Sequence, residues 1–412
     1  MTRVLLFLAF AALASPLVAL ADGADSLPSP DRAYVNAVLD GLVQSGVLTA
    51  DQADEIKAAA TEAAAGAEDN TRALAASEPK PKPKWYDTMK VSGYVQGRWE
   101  YSPDAQPGDA SNTFLVRRAR TKFGANPDDR TEIEIQADWG ESSASIKDAW
   151  LQRDLTAAGD WRVRLGLQKV PFGFETPQSS SVRLPLERNW LARRTIAGER
   201  DTGLVLFYTT PEDHELFGYA KKREYGTGDY GNIALGVFNG QGADEGLDLN
   251  SNKHFTVRLC KPFAIGGSTA SDGPGRYAEV GASYYGGRYY SDSLGVNVDD
   301  ELVGVHAYVA PKPLGLQAEY YDGKTEGDDL RGWYGMALFR PSDAGCLFVR
   351  YDDYQGRRKG KGADPYDRHR TSIGYAHELD ANTRLTAEYD IQRNEAKARD
   401  EDLFGLQLMT RY

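Results

Sequence analysis

From residue 90 to the last residue, side chains alternate between apolar and polar with a period of two, and few folds are compatible with that pattern. Between Asp160 and Gln168, Trp161, Val163, Leu165 and Leu167 share one face, while Arg162, Arg164 and Gln168 share the other. Successive side chains leave opposite faces of a pleated strand, so such a segment is an extended strand with two different environments. The pattern recurs at Thr131–Trp139, Phe255–Cys260, Val303–Val309 and Arg384–Ile391. Turn-forming groups such as Pro127-Asp128-Asp129 and Asp380-Ala381-Asn382 separate the runs. About seventeen candidate strands result. His214 to Lys222 alternates poorly and reads as loop, which leaves sixteen, an even number as single-chain bacterial barrels require. Eighteen remains open if that region contains a hairpin, and no helix is expected after Lys90.

Two all-β architectures share this alternation. In a soluble sandwich the apolar faces meet in a core; in a transmembrane barrel they face lipid and the polar faces line a lumen. Several features favour the barrel. Arg3, the apolar run Val4–Leu20 and the small-x-small site Ala19-Leu20-Ala21 form a secretory signal peptide over residues 1–21. No later stretch approaches the ~20 apolar residues of a membrane helix, so any return to a membrane must be made by strands. Trp99, Tyr101, Trp139, Tyr284, Tyr285, Tyr289 and Tyr290 fall at or near strand ends, where an interfacial girdle would place aromatics. Finally, Phe404, Leu406, Leu408 and Tyr412 share one face of the last segment, as a closing strand with lipid outside requires.

Residues 22–78 read as helical. Val35, Val38, Leu39, Leu42 and Val43 form one stripe, and Thr49-Ala50-Asp51-Gln52 a capping box. This is either a self-associating periplasmic coil or a helical hairpin with no partner. Residues 79–84 alternate Pro and Lys, a stiff linker before a barrel spanning 85–412.

With 48 basic and 60 acidic residues the net charge is −12, which argues against a nucleic-acid partner. Cys260 and Cys346 are too few for a disulfide scaffold, and spacing does not decide whether they pair. No H-E-x-x-H, G-x-S-x-G or phosphate loop occurs. Asp248–Asn252 fails as a calcium loop, because Lys253 stands at the turn-glycine position and Leu259 at the bidentate acid. Neither catalytic residues nor a metal or cofactor is expected, and the chain reads as a non-enzyme.

The longest stretch without alternation, residues 170–200, is basic: Arg183, Arg188, Arg193, Arg194 and Arg200 face only Glu175, Glu187 and Glu199. It is either an exposed, solvated loop or a constriction folded into a lumen. Arg118, Arg120 and Lys122 share one strand face, Arg162 and Arg164 another, and Lys169 and Arg258 complete the candidate anion path. Arginine suits such a path because its fork binds carboxylate or phosphate oxygens in two places. Glu132, Glu134 and Asp138 would share the same lumen.

Phe114 to Arg120, Gly166 to Gly173, Glu187-Arg188, Arg200 to Gly203, Leu235 to Gly240 and Val257 to Phe263 occur in this order. Through these motifs the chain resembles the phosphate-selective porin O and P family of Gram-negative outer membranes, over roughly Lys90 to Tyr412. The resemblance implies a sixteen-stranded barrel, usually trimeric, with a constricting third loop and a passage lined by arginine and lysine. The terminal strand ending at Tyr412 resembles the signal read by the barrel-insertion machinery. The expected function is passive diffusion of small hydrophilic solutes, with anions such as phosphate favoured. The competing readings are a secreted all-β binding protein or glycan-active enzyme, and a structural barrel tethered to the cell wall by its helices.

Overall fold

The computed structural model describes residues 84–412, apart from 106–110, 195, 197–198, 244–247, 249, 267–274, 292–293, 326, 358–364 and 396–398, together with a few isolated residues between 40 and 58. The expected signal peptide, most of the helical segment and the Pro/Lys linker up to residue 83 lie outside the described residues. The few described positions in 43–58 are helical except Thr49.

After a short 3-10 turn at Trp85–Thr88, the chain forms a single antiparallel sheet. Its strands are β1 (Lys90–Tyr101), β2 (Asn112–Asp128), β3 (Thr131–Asp138), β4 (Ser145–Asp154), β5 (Trp161–Lys169), β6 (Arg200–Tyr208), β7 (Ile233–Phe238) and β8 (His254–Ile265). There follow β9 (Arg276–Ser291), β10 (Val296–Val309), β11 (Leu314–Thr325), β12 (Asp328–Ser342) and β13 (Gly345–Arg357). The series ends with β14 (Pro365–Glu378), β15 (Thr383–Asn394), the two-residue β16 (Arg399–Asp400) and β17 (Leu403–Arg411). Each spanning strand pairs with the next, and β17 pairs with β1, with Tyr94 opposite Arg411 and Tyr101 opposite Phe404. Setting aside β16, which only edges β15, sixteen strands close the barrel among the described residues. Closure leaves no unpaired sheet edge, the condition for strands to cross a bilayer.

The parity of each strand decides which side chains meet lipid. Trp161 and Leu165 are exposed on the outer wall, Leu165 at 55%, whereas Arg162 beside them is 6% exposed. The same holds for Phe255 and Leu259 against Thr256, Arg258 and Cys260, and for Leu406 and Leu408 against Gln407 and Met409. Arg, Glu, Asp and Gln therefore make up much of the buried interior, while Val, Leu, Ile, Phe and Trp cover the outside. A water-soluble sandwich has the reverse arrangement. Two of the aromatics assigned to the girdle face inward instead: Tyr285 stacks on His254 with ring centroids 4.9 Å apart, and Tyr289 is also buried.

The loop expected at His214–Lys222 is part of a helix, α2 (Pro211–Arg223), so the expectation of no helix after Lys90 fails here. Its local signals are strong. Thr210 caps the Asp213 amide, Pro211 opens the first turn with Glu212 and Asp213, and Lys221, Lys222 and Arg223 close the last. The helix lies in the connection between β6 and β7 and buries Asp213, Phe217 and Ala220. A five-residue helix, α1 (Trp190–Arg194), lies in the connection between β5 and β6. Cys260 and Cys346 are both free thiols and both buried.

Candidate solute passage

The described residues of 170–196 run inside the barrel. Val170, Phe172, Phe174, Leu184, Leu186 and Leu191 are buried, as are Glu175, Gln178, Arg183 and Arg188. Phe172 packs edge-on against Tyr321 at 4.9 Å, and Phe174 lies 4.7 Å from the Tyr308 ring. The segment therefore carries its own apolar surface, which is buried against aromatics of β9–β11.

A peptide inside a barrel must satisfy its backbone without a sheet. Here the wall supplies the donors. Arg258 donates to the Gly173 carbonyl at 3.1 Å, Arg98 to Leu186 at 3.2 Å, Arg350 to Glu187 at 3.0 Å, and Arg370 to Arg188 at 3.0 Å. Arg384 and Arg411 both donate to the Ser181 carbonyl, at 2.9 and 2.8 Å. The amides are held by acids: Phe174 and Glu175 donate to Glu319 at 2.6 and 3.1 Å, and Leu186 donates to Glu388 at 2.7 Å. Such charge-assisted bonds are roughly twice as strong as neutral ones.

Two arginines of the loop itself, Arg183 and Arg188, face inward too. Arg188 pairs with Glu199 at 2.6 Å and donates to the Glu175 and Gln178 carbonyls. Arg183 donates to the Pro185 and Leu186 carbonyls. Burial opposes ionisation of Glu199, but Arg188 and Arg200 beside it outweigh burial and bring its carboxyl down to about 2. The backbone of Glu199 is left-handed (φ 62), a conformation costing a non-glycine residue roughly 1–2 kcal/mol. These ion pairs hold it at the point where the loop rejoins β6.

The loop is tied to β1 and β2 as well as to β8–β15, and a cavity of about 480 Å³ remains between it and β1–β6. Seven cationic side chains line it (Arg120, Lys122, Arg164, Lys169, Arg200, Lys221 and Arg411) against four acids (Glu132, Glu134, Asp148 and Asp229). Most of the cations are paired or tied down. Arg120 meets Asp138 at 2.8 Å, Lys122 meets Glu134 at 2.7 Å, and Arg200 meets Asp148 at 3.0 Å. Lys169 donates to the Pro177 and Gln178 carbonyls at 2.9 and 2.8 Å. Among the described residues, Arg164 and Lys221 have no carboxylate within ion-pair distance. Arg164 lies 4.1 Å from the Trp150 ring centroid and donates to Gln152 at 2.7 Å, which holds the guanidinium against the wall. Gly166, opposite Trp150 in register, makes this possible. Its φ is 129°, and a Cβ there would collide with the Ala149 carbonyl and Trp150 Cα. Lys221 projects from α2 and also lines a second cavity of about 960 Å³, formed with Lys312, Arg340 and Arg411 near the β10–β11, β12–β13 and β14–β15 turns.

The remaining candidate residues lie elsewhere. Arg118 binds Glu187 at 2.9 Å, Arg162 binds Asp229 at 2.8 Å, and Arg258 binds Glu279 at 3.3 Å; none of the three lines the 480 Å³ cavity, nor do Arg183 and Arg188. The side chains of Arg193 and Arg194 lie outside the description. Lys221 and the clamping arginines Arg98, Arg350, Arg370 and Arg384 were not among the sequence candidates. Strand parity could have found the arginines, because Arg350 shares a face with Cys346, Phe348 and Asp352.

A closed antiparallel barrel with an apolar outer belt, a polar lumen and an internal loop defines an outer-membrane channel. The profile of the family described as phosphate-selective porin O and P matches residues 89–350, and the chain belongs to that family. It is thus an outer-membrane porin, a channel for small solutes, and neither fold nor family points to an enzyme. No curated protein matches the sequence. Among solved structures, OmpF of Salmonella typhi in complex with daunomycin is 11% identical, with a TM-score of 0.55 over 79% of this chain and 97% of that one. A loop-deleted OmpT of Vibrio cholerae gives 11% and 0.53, over 79% and 99%. The outer membrane channel DcaP of Acinetobacter baumannii gives 11% and 0.50, over 79% and 97%. At such identities the likeness is one of fold.

Proposed function

We propose that this porin passes small hydrophilic anions, phosphate among them, along the wall formed by β1–β6. The observation that carries the reading is the excess of cations at the 480 Å³ cavity, with Arg164 and Lys221 free of acid partners. An unpaired guanidinium and an ammonium can replace part of an anion's hydration. Neighbouring paired cations keep the potential positive without one tight site that would trap the ion. Of the sequence candidates, Arg120, Lys122, Arg164, Lys169 and Arg200 belong to this path. Arg118, Arg162, Arg183, Arg188 and Arg258 act as fasteners that set its width.

The reading is tested in planar bilayers. In a potassium chloride gradient the reversal potential takes the sign of chloride permeation, and adding phosphate reduces the chloride current. A reversal potential of the opposite sign overturns the anion preference while leaving the channel itself intact.

We further propose that the channel works as a homotrimer in outer-membrane lipid. An in-vitro folded OmpT of Vibrio cholerae described as a trimer form shares the fold at 13% identity, with a TM-score of 0.51 over 79% of this chain and 99% of that one. The exposed apolar outer wall provides a surface for self-contact. Light scattering of the detergent-purified protein distinguishes one, two and three copies.

A further inference from the structure

On the lumen face of β8–β10, one register row joins three strands: Cys260 lies opposite Gly281, and Gly281 opposite His306. Glu279 is two residues from Gly281 on the same face of the middle strand. Because Gly281 has no side chain, the thiol, the imidazole and the carboxylate lean into the space above it; a Cβ there would collide with the His306 ring. All three donors are buried. Cys260 Sγ lies 3.5 Å from Glu279 Oε1 and 3.9 Å from His306 Nε2, and that Nε2 lies 3.2 Å from Glu279 Oε1. In tetrahedral zinc sites, bonds of ~2.0–2.3 Å place neighbouring sulfur, nitrogen and oxygen donors roughly 3.3–3.6 Å apart. The triangle matches one face of such a tetrahedron to within a few tenths of an ångström.

We infer that Cys260, Glu279 and His306 form a binding site for a borderline-soft divalent metal, with Zn²⁺ the best fit, inside the barrel wall. A thiolate and an imidazole select against calcium and magnesium, which take oxygen ligands. Thiolate and carboxylate together balance the charge of the dication, and three protein donors leave one position for a water. Cys260 gives up its proton as the metal binds. The surroundings suit this. Tyr277 donates its hydroxyl to Glu279 Oε2, the outer-shell bond that orients a ligating carboxylate. Without a metal, His306 Nε2–H donates to Glu279 Oε1; Nδ1 is buried with no hydrogen-bond partner, so no neighbouring donor opposes moving the ring proton to Nδ1 when Nε2 takes the metal. Arg258 Nη2 stands 3.3 Å from Glu279 Oε1 but is also committed, through its other nitrogens, to the Gly173 and Gly231 carbonyls, so it serves as an outer partner of the carboxylate. Phe174 of the internal loop lies 6.0 Å from the His306 ring, which makes the site part of the surface on which the loop rests.

The test uses the full chain refolded in detergent with Co²⁺ or Zn²⁺ present throughout, since the donors are buried in the folded barrel. Heat-modifiable gel mobility confirms folding of each variant. Wild type retains one cobalt per chain after dialysis and shows a thiolate-to-cobalt charge-transfer band. Cys260→Ser loses the band, Gly281→Ala loses it by filling the space, and Cys346→Ser, which removes the other buried thiol, keeps it. If folded wild type retains no more cobalt than Cys260→Ser, or if Cys260→Ser keeps the band, the cluster is an Arg258–Glu279 ion pair beside a neutral histidine and thiol, and the inference falls.

Discussion

Glu187 Oε2 lies 2.9 Å from Arg118 Nη2, and this contact fixes the internal loop to β2 on the cavity side of the barrel. The other oxygen of the same carboxylate meets Arg98 at 3.0 Å and Arg117 at 2.7 Å. One carboxylate thus bridges three guanidinium groups on two neighbouring strands.

Glu187→Gln leaves Arg118 without its acid partner, while Arg98 keeps Glu100 and Arg117 keeps Glu141. Because Glu187 is only partly buried, the cost lies below the about 3–5 kcal/mol of a fully buried pair. The temperature at which the folded gel band converts to the unfolded one should fall. In bilayers the current should become noisier as the loop loosens, and the freed cations should raise anion selectivity. An unchanged melting band would show that the three contacts are replaced by solvent.

Arg164→Ala and Arg350→Ala should separate conduction from stability. Arg164 borders the cavity without an acid partner, so its loss should move the reversal potential toward cations by several millivolts with little change in melting. Arg350 is buried between Asp352 at 2.9 Å and Glu175 at 3.6 Å and donates to the loop. Its loss should lower the melting temperature first. Equal effects on both readouts would contradict the division into path and fasteners.

The connection carrying α2 should make stability depend on pH. The hydrogen bond from His214 Nδ1 to Asp229, at 2.5 Å, raises the imidazole above its ordinary 6.5. Burial works against ionisation of Asp229, yet His214 and Arg162 hold it well below the usual carboxylate range. For a group whose folded pKa is raised, the stabilisation is complete below 6.5 and fades as pH rises through the raised value. Melting temperature should therefore drop across that window in wild type. In His214→Gln the drop should be absent. A drop of equal size in the variant would assign it to another group.

Gly166→Ala places a Cβ against the Ala149 carbonyl and Trp150 Cα at a left-handed φ. Such strain costs of order 1–3 kcal/mol. It should also tilt Trp150 away from Arg164. The expected result is a lower melting temperature together with weaker anion selectivity, measured on the same preparation. A gain in stability would mean that the β4–β5 ladder shifts to absorb the methyl group.

Much of the wall was legible because strand parity is local. Once Trp161 and Leu165 are assigned to one face, Arg162 and Arg164 must occupy the other, and the same reading carried through Phe255–Cys260 and Leu406–Met409. It went astray at Tyr285 and Tyr289, where nearness to a strand end was taken for an outward position. Alternation also gives no sign of α2, although Thr210-Pro211-Glu212-Asp213 is a plain helix start, because poor alternation does not by itself distinguish a loop from a change of period.

By itself, then, the sequence determined that the chain makes long alternating strands, that one face of each is apolar, and that the basic stretch at 170–200 has no strand of its own. Only the tertiary structure decided which cations face solvent. Arg118, Arg188 and Arg258 look like Arg164 in sequence, yet they are bound to loop acids and carbonyls, Arg258 to one 85 residues away, whereas Arg164 is bounded by Trp150 and an open cavity. Cys260, Glu279 and His306 likewise became neighbours only when three strands came into register across Gly281. Parity is a property of consecutive residues, but charge pairing and donor geometry depend on register, and register is settled only when the barrel closes.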